Sequence, residues 1–357
     1  MTEAPILTVE NVSKRFGSKG DLIARGLAAI GLAKPRPQVL AVDDVSFVLK
    51  RGEVLGVVGE SGCGKSTLGR MIAGLLEPTE GTILVDGEAR GARVAKREEP
   101  GKAPRALDLQ MIFQDPFSSL NPRKRVTDLI GEAPRVHRIV DRDGLARYVA
   151  DLMERCGIDP AYRDRFAHQF SGGQRQRIGI ARALAVKPEI LVCDEAVSAL
   201  DVSIQAQIIN LFMDLRDEFG LTYVFISHDL GVVEHIADRI LVMYLGRIVE
   251  SGPAAEIFTN PQHPYSRALI EGVPRLDRRR VVYNPIEGDI PSPLDPPKGC
   301  HFHPRCPMAQ DRCRVESPKL RRIAPGRSAA CHLVPETLVV APTVAKESTE
   351  WPATKTG

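Results

Sequence analysis

The protein has 357 residues, which is enough for one large domain and a smaller appended unit. Its 48 Lys and Arg almost balance its 45 Asp and Glu, and the net charge of +3 excludes a bulk field that would draw the chain to nucleic acid or to an anionic membrane. No apolar run reaches the ~20 residues of a membrane span, and the start, MTEAPILTVE, lacks the layout of a secretory signal. We therefore expect a cytosolic protein whose seven cysteines are free thiols or metal ligands.

Two stretches near the start alternate apolar and polar residues, ILTVE at 6–10 and AVDDVSFVLK at 41–50. This alternation predicts half-buried antiparallel strands. Residues 17–39 interrupt these strands, and we predict that this insertion is a surface loop. The alternative is that it forms a short apolar stripe that rests on a membrane-embedded partner. The polar, basic stretch at 88–105 predicts an exposed loop with solvated charges.

Residues 59–66 read GESGCGKS and satisfy the phosphate-loop pattern G-x-x-x-x-G-K-[ST] between a predicted strand and a predicted helix. The glycines let the backbone curl so that its N–H groups converge on phosphate oxygens, and the helix N-terminus adds partial positive charge. Lys65 would reach the β- and γ-phosphates, and the Ser66 hydroxyl would bind magnesium. The predicted nucleotide ligands here are Gly59, Ser61, Gly62, Cys63, Gly64, Lys65, Ser66 and Thr67.

Residues 190–195, ILVCDE, form an apolar run that ends in two carboxylates. Asp194 at the end of this predicted strand can hold the magnesium shell through water. Glu195 points to the other face and can polarise the attacking water. Such a pair is a weak signal alone, but together with the phosphate loop it predicts a catalytic centre.

Later apolar runs have the same short length. TYVFISH at 222–228 and RILVMYL at 239–245 are separated from the preceding run by helical stretches. Short buried strands that alternate with helices are typical of a mostly parallel α/β sheet.

The stretch HQFSGGQRQRIGIARAL contains SGGQ at 171–174 and resembles the signature of ATP-binding-cassette (ABC) ATPases. Other family motifs match in order: Phe16, Gln114, SALD at 198–201 and His228. The stretches FQDPFSSLNPR, DEAVSALDVSIQAQI and NPQHPYSRALI are similar to the ATPase subunits of oligopeptide and dipeptide importers. Phe170 and Ala196-Val197 depart from the commonest family pattern but keep apolar or small character, so nothing indicates a degenerate site.

The resemblance implies an α/β fold, an ABC-type phosphate-loop ATPase with an antiparallel β subdomain, a helical subdomain at about 116–177 and a small Cys-containing C-terminal appendage. We divide the chain into an ATPase domain at 1–260, an oligopeptide/dipeptide-transporter C-terminal region at 261–335 and a disordered tail at 336–357. In the family, the helical subdomain grips a coupling helix of the membrane subunit.

The resemblance also implies residue roles. Phe16 stacks on adenine, although a lone Phe beside a strand is more often core. Gln114 meets the magnesium shell and the water and transmits the presence of γ-phosphate to the helical subdomain. His228 touches the γ-phosphate and holds Glu195 and water in line. The residues that complete the ATP site of the opposite subunit, or lie across the dimer seam, are Ser171, Gly172, Gly173, Gln174 and Asp201.

Four cysteines near the end, Cys300, Cys306, Cys313 and Cys331, have the spacing C-x5-C-x6-C-x17-C in a stretch too small to build a core unaided. Four thiolates suit tetrahedral zinc or a [4Fe-4S] cluster, and the spacing does not choose between them. Similar importer ATPases carry the same GC-x-F-x-x-RCP stretch, and some bind a [4Fe-4S] cluster there. That resemblance favours the cluster, with zinc or metal-free thiols as alternatives. For zinc, the possible substitute ligands are His301, His303 and His332.

The implied function is the ATP-hydrolysing subunit of a peptide importer that uses ATP and Mg²⁺ at the cytoplasmic face of the cell membrane. Its implied partners are a second ABC ATPase (as a homodimer or heterodimer), two membrane permeases and an extracytoplasmic binding protein, with no nucleic acid. The alternative cargo is nickel or glutathione.

A DNA-repair ATPase would need a long coiled coil between the phosphate loop and the signature. Only 106 residues (171 minus 65) separate Lys65 from Ser171, which is too few for such a coiled coil. A translation-associated ABC protein needs two cassettes, but each motif occurs once in this sequence. An exporter is normally fused to membrane helices, and no apolar run here has the length of a membrane span.

Overall fold

The computed structural model describes residues 4–17, 38–89, 107–115, 119–272 and 286–335. The tail at 336–357 and most of the insertion and of the basic loop lie outside these residues. The strands are β1 (Leu7–Phe16), β2 (Val39–Leu49), β3 (Val54–Val58), β4 (Glu80–Val85), β5 (Glu88–Ala89), β6 (Leu109–Ile112), β7 (Ile190–Asp194), β8 (Thr222–Ile226), β9 (Arg239–Tyr244), β10 (Arg247–Pro253), β11 (Arg321–Ala324) and β12 (Arg327–Ala329).

The helices lie mainly between the later strands. They are α1 (Lys65–Ile72), α2 (Val126–Val136), α3 (Leu145–Arg155), α4 (Gly172–Leu184), α5 (Val202–Phe219), α6 (Leu230–Ile236), α7 (Ala254–Thr259), α8 (Pro264–Glu271) and α9 (Asp311–Val315). Short 3₁₀ turns cover Pro160–Tyr162, Ala167–Gln169 and His303–Arg305. None of the helices in the described part of the chain combines the length and apolarity that a membrane crossing needs.

The smaller sheet is antiparallel, with the strand order β2-β1-β4-β5. Leu7 of β1 lies opposite Leu49 on one side and Val85 on the other. Leu7, Val9 and Val12 of β1 enter a core that also includes residues of β3 and α1, and the two residues between Val9 and Val12 are exposed. The predicted pair of antiparallel strands near the start is therefore confirmed.

The larger sheet has eight strands in the order β11-β12-β10-β9-β3-β8-β7-β6. Its five strands from β9 to β6 are parallel, and β10, β12 and β11 extend it antiparallel. Every residue of β3, β7 and β8 is buried, as expected for parallel strands covered on both faces. This confirms the mostly parallel α/β sheet.

The helices α2, α3 and α4 pack together beside this sheet and share its core. Phe170 is buried there with its ring edge-on to Tyr162, and Ala196 and Val197 are buried as well. The departures from the commonest motif thus occupy packing positions. Cys156 is fully buried, and burial raises the pKa of its thiol to about 12, which keeps it neutral.

The C-terminal region is built onto the main domain. Strand β12 pairs with β10 of the large sheet, and Phe302 is buried in the main core. A separate small core contains Ile323, Ala329, Cys331 and Val334. This region was expected to be too small to form a core unaided, and it shares the main core and the large sheet.

Candidate nucleotide-binding and catalytic site

The phosphate loop connects the end of β3 to the start of α1. Gly59 and Gly64 have φ angles of 151° and 107°, which side chains rarely adopt. A Cβ at Gly59 would lie 2.2 Å from the Met243 carbonyl oxygen, and one at Gly64 would lie 2.1 Å from that of Ala41. Both positions therefore require glycine, because neighbouring backbone leaves no space for a side chain.

Lys65 opens α1 and is almost fully buried. Its Nζ donates to the carbonyl oxygens of Gly59 at 2.8 Å and Glu60 at 3.1 Å. The ammonium group therefore lies inside the curl of the loop. A charged donor in that position suits the charge of a nucleotide's phosphates.

Ser66 and Asp194, two of the three predicted magnesium-shell residues, are in direct contact. The Ser66 hydroxyl donates to Asp194 Oδ1 at 2.7 Å, which joins the start of α1 to the end of β7. Burial raises the pKa of the Asp194 carboxyl, and the Ser66 hydrogen bond opposes that shift. Hydroxyl and carboxylate oxygens are the ligands that Mg²⁺ prefers, so the pair fits a magnesium ion.

Two of the three predicted catalytic side chains, Gln114 and His228, converge on one oxygen atom of the third, Glu195 Oε2. Gln114 Nε2 donates to it at 2.8 Å, and His228 Nδ1 lies 3.3 Å from it. Glu195 follows β7 with φ at 50°, a strained value for a residue other than glycine. Its backbone N–H donates to Ile226 O of β8, which holds this turn against the neighbouring strand.

The signature residues begin α4 with a reciprocal cap. Ser171 Oγ accepts from the Gln174 N–H, and Gln174 Oε1 accepts from the Ser171 N–H. A Cβ at Gly173 would lie 2.5 Å from Ile204, so the helix start fits closely against α5. Asp201 precedes α5, and its carbonyl oxygen accepts from the Gln205 N–H.

Other predicted nucleotide ligands lie at exposed positions. Phe16 ends β1 with 40% of its surface exposed, and Lys14 Nζ is 5.5 Å from its ring centroid. Ser171 is exposed as well. Within the described ranges, no hydrogen bond or ion pair joins the signature residues to the loop, so their role at an ATP site stays a prediction.

Sequence reasoning missed a contact between the loop and the C-terminal region. Arg305 donates to both carboxylate oxygens of Glu60, at 2.7 and 3.0 Å, and the Glu60 N–H donates to Tyr265 Oη at 2.9 Å. Arg305 is in the quoted RCP stretch, but no local pattern links it to a residue 245 positions earlier.

The four C-terminal cysteines are free thiols. The Cys300 N–H donates to Cys313 O at 2.8 Å. Burial raises the pKa of the Cys300 thiol to about 11, and Cys313, Cys331 and Cys306 are all close enough to raise it further. Across the described residues, however, no three His, Cys, Asp or Glu side chains are positioned to hold a metal ion. The donors match a thiolate site chemically, but their arrangement gives the metal hypothesis no geometric support.

The neighbouring histidines have other contacts. His303 Nδ1 is 2.9 Å from the Cys300 carbonyl oxygen, and His332 Nε2 is 2.9 Å from that of Glu316. Burial lowers the pKa of His301. The ring contacts of His303 and His332 are therefore with backbone carbonyls, which favours their interpretation as bystanders.

Comparison with protein families identifies two matched regions. Residues 42–198 match the family described as ABC transporter, and residues 249–313 match the oligopeptide/dipeptide transporter C-terminal region. Over 334 residues the chain is 48% identical to the oligopeptide transport ATP-binding protein AppF of Bacillus subtilis, covering 92% of this chain and 97% of the relative. It is 49% identical over 331 residues to the dipeptide transport ATP-binding protein DppF of Haemophilus influenzae, covering 92% and 96%.

Solved structures have the same fold. The structure of cbiO1 from Clostridium perfringens, part of the ABC transporter complex cbiONQ, aligns with a TM-score of 0.58 and 27% identity, covering 72% of this chain and 92% of that one. The dimeric post-hydrolysis ATP-binding cassette MJ0796 bound to ADP and Pi aligns with a TM-score of 0.56 and 23% identity, covering 70% and 98%. The ABC-type fold expected from the sequence is thereby confirmed.

The convergence on Glu195 predicts that Glu195→Gln abolishes hydrolysis but not ATP binding. The amide has the shape of the carboxylate but cannot accept a proton from water, so turnover should fall about a hundred- to ten-thousandfold. Steady-state phosphate release and equilibrium binding of a fluorescent ATP analogue measure the two effects separately.

Glu189→Gln is the matched control. Glu189 directly precedes β7, whereas Glu195 directly follows it, and Glu189 pairs with the exposed Arg51. This variant should keep the wild-type turnover. Near-normal turnover in Glu195→Gln would remove this residue from the catalytic role.

Proposed function

The chain belongs to the ABC transporter ATPases of the oligopeptide/dipeptide importer family, and from that membership we propose that it hydrolyses ATP to drive import of di- and oligopeptides through separate permease subunits. The observation that carries the hydrolytic role is the convergence of Gln114 and His228 on the Glu195 carboxylate. The peptide cargo rests on relatives named for oligopeptide and dipeptide transport, which align over nearly their whole length.

In this proposal, different residues bind the phosphates, hold Mg²⁺ and activate the attacking water. The Lys65 ammonium group leaves its two loop carbonyls and pairs with the β- and γ-phosphates. Ser66 and Asp194 would hold Mg²⁺, which neutralises charge between those phosphates. Glu195 Oε2 accepts a proton from the attacking water, and Gln114 and His228 keep that oxygen in position.

A second cassette completes each site in this proposal. The signature helix begins at the exposed Ser171, where free N–H groups and the helix dipole form an anion site. Because no hydrogen bond or ion pair joins this end to the phosphate loop in the described part of its own chain, it is available to the nucleotide of a partner. The partner is a second copy of this chain or a related ATPase.

The remaining partners are membrane proteins. The helical subdomain, with α2 and α3, grips the coupling helices of two permeases, so the chain works at the cytoplasmic face of the membrane. An extracytoplasmic binding protein delivers the peptide. Phe16 provides the adenine contact, which its exposed ring at the end of β1 supports.

For the four cysteines, we propose a [4Fe-4S] cluster held by Cys300, Cys306, Cys313 and Cys331, with Zn²⁺ as the alternative. The support is the all-thiol donor set and the electrostatic proximity of the other three thiols to Cys300. A bound cluster would tie the segments of this region together. Side-chain rearrangement must accompany binding, since the described side chains are not in coordinating positions.

The cargo is tested in cells that lack this chain. Uptake of labelled di- and oligopeptides should fall, and the wild-type chain and Glu189→Gln should restore it, whereas Glu195→Gln should not. Loss of nickel or glutathione uptake with intact peptide uptake would contradict the peptide cargo.

The shared site is tested by complementation between two inactive variants. Lys65→Ala and Ser171→Arg should each abolish hydrolysis, because both sites of each homodimer are damaged. A one-to-one mixture should recover about a quarter of wild-type activity, since half of its dimers contain one intact site. No recovery in a mixture shown to exchange subunits would contradict the homodimeric form of the proposal.

The metal proposal predicts a brown protein with about four iron and four sulfide per chain, as a [4Fe-4S] cluster requires. Cys306→Ser should lose the colour and the iron, whereas Cys63→Ser, outside the set, should keep them. A colourless anaerobic preparation with one zinc per chain would establish the alternative, and one with no metal would contradict both.

A further inference from the structure

Glu60, the second residue of the phosphate loop, is held through all of its hydrogen-bonding groups. Its carbonyl oxygen accepts from Lys65 Nζ, within the loop. Its N–H donates to Tyr265 Oη, and both carboxylate oxygens accept from Arg305. Two of the three groups therefore depend on residues matched by the oligopeptide/dipeptide transporter C-terminal family, well outside the 42–198 match to the ABC transporter family.

The contact between Arg305 and Glu60 is buried and directional. The Arg305 side chain is 4% exposed and that of Glu60 is 22% exposed. Two parallel N–H···O bonds from one guanidinium fix orientation as well as distance. Arg305 also donates to Glu287 O at 3.3 Å, which anchors it within its own region. The carboxylate partner raises the pKa of the Arg305 guanidinium, so the group stays charged.

An aromatic cluster holds both contacts in place. The Phe302 ring packs against Tyr244, Tyr265 and His263, with centroid separations of 5.3, 5.4 and 5.9 Å. His263 Nδ1 accepts from the Tyr265 N–H at the start of α8. Burial lowers the pKa of His263 to about 3, so the ring stays neutral at physiological pH and keeps this acceptor. Arg305 follows Phe302 by three residues, which is one 3₁₀ turn, and the cluster therefore positions both groups that hold Glu60.

Glu60 also contacts Lys65, the predicted ligand of the β- and γ-phosphates. Lys65 Nζ donates to the carbonyl oxygens of Gly59 and Glu60, so the orientation of these two peptide groups sets the position from which the ammonium group moves to the phosphates in the proposed function. We propose that Arg305 and Tyr265 are positioning residues through which the C-terminal region sets the geometry of the phosphate loop, and with it the affinity for ATP. The inference rests on the proposed ATPase function and adds the residues that tune its nucleotide site.

The test compares Arg305→Gln, Arg305→Lys and Tyr265→Phe by the KM and kcat of ATP hydrolysis, the Kd for ATP in a Glu195→Gln background, and the melting temperature. Arg305→Gln should raise KM and Kd about tenfold with kcat within about twofold, because the loss falls on ATP binding. Arg305→Lys keeps the charge without the two-pronged geometry and should rescue part of the loss. Tyr265→Phe removes only the hydroxyl and should raise both constants about threefold.

The matched control is Arg312→Gln, since Arg312 forms an exposed pair with Glu316 in the same region. Its KM and Kd should equal those of the wild type. A role in stability alone would lower the melting temperature of Arg305→Gln and leave KM and Kd unchanged.

The outcomes separate this inference from the proposed function. If the wild-type chain binds ATP and folded Arg305→Gln and Tyr265→Phe both keep its KM and Kd, the inference is overturned and the proposed function stands. A wild-type chain that binds no ATP would overturn both. Should Arg305→Gln fail to fold, Tyr265→Phe decides the matter, because it retains the aromatic ring and its packing.

Discussion

The site depends on one constraint, the shared direction of the buried strands β3, β8, β7 and β6. The carboxyl ends of parallel strands meet at one edge of a sheet, and each strand here delivers a functional group to that edge. The phosphate loop follows β3, Glu195 follows β7 and His228 follows β8. Gln114 is two residues beyond β6, whose Ile112 lies opposite Cys193 of β7. A sheet with a different order would scatter these groups.

The predicted catalytic carboxylate, Glu195, is positioned by its backbone as much as by its neighbours. Glu195 takes a left-handed φ, and its N–H is bonded to the adjacent strand β8. Strain of this kind persists where the surrounding structure holds the residue firmly. The start of α4 at Ser171 is exposed, and within the described residues no hydrogen bond or ion pair joins the signature residues to the phosphate loop.

A series of hydrogen bonds connects the C-terminal region to the phosphate loop. From β12, Arg327 donates to the fully buried Glu250, whose other carboxylate oxygen accepts from the His263 N–H. His263 then bonds Tyr265, and Tyr265 bonds Glu60 in the loop. Each step is a hydrogen bond between buried or half-buried groups, so this chain of contacts links the phosphate loop to β12. Cys306 directly follows Arg305, so one thiol of the set lies on the same backbone segment as this link.

The sequence by itself determined the features that depend on near neighbours: the strand periods, the curl of the GESGCGKS loop, the reciprocal cap of Ser171 and Gln174, and the carboxylates that follow β7. These follow from side-chain alternation and hydrogen bonds across a few residues. Only the tertiary structure decided that Arg305 meets Glu60, because two residues 245 positions apart pair through the docking of whole elements. The cysteines show the same division. Their spacing indicated a shared site, but thiol positions depend on how four segments pack, and the described side chains do not adopt a metal-binding arrangement.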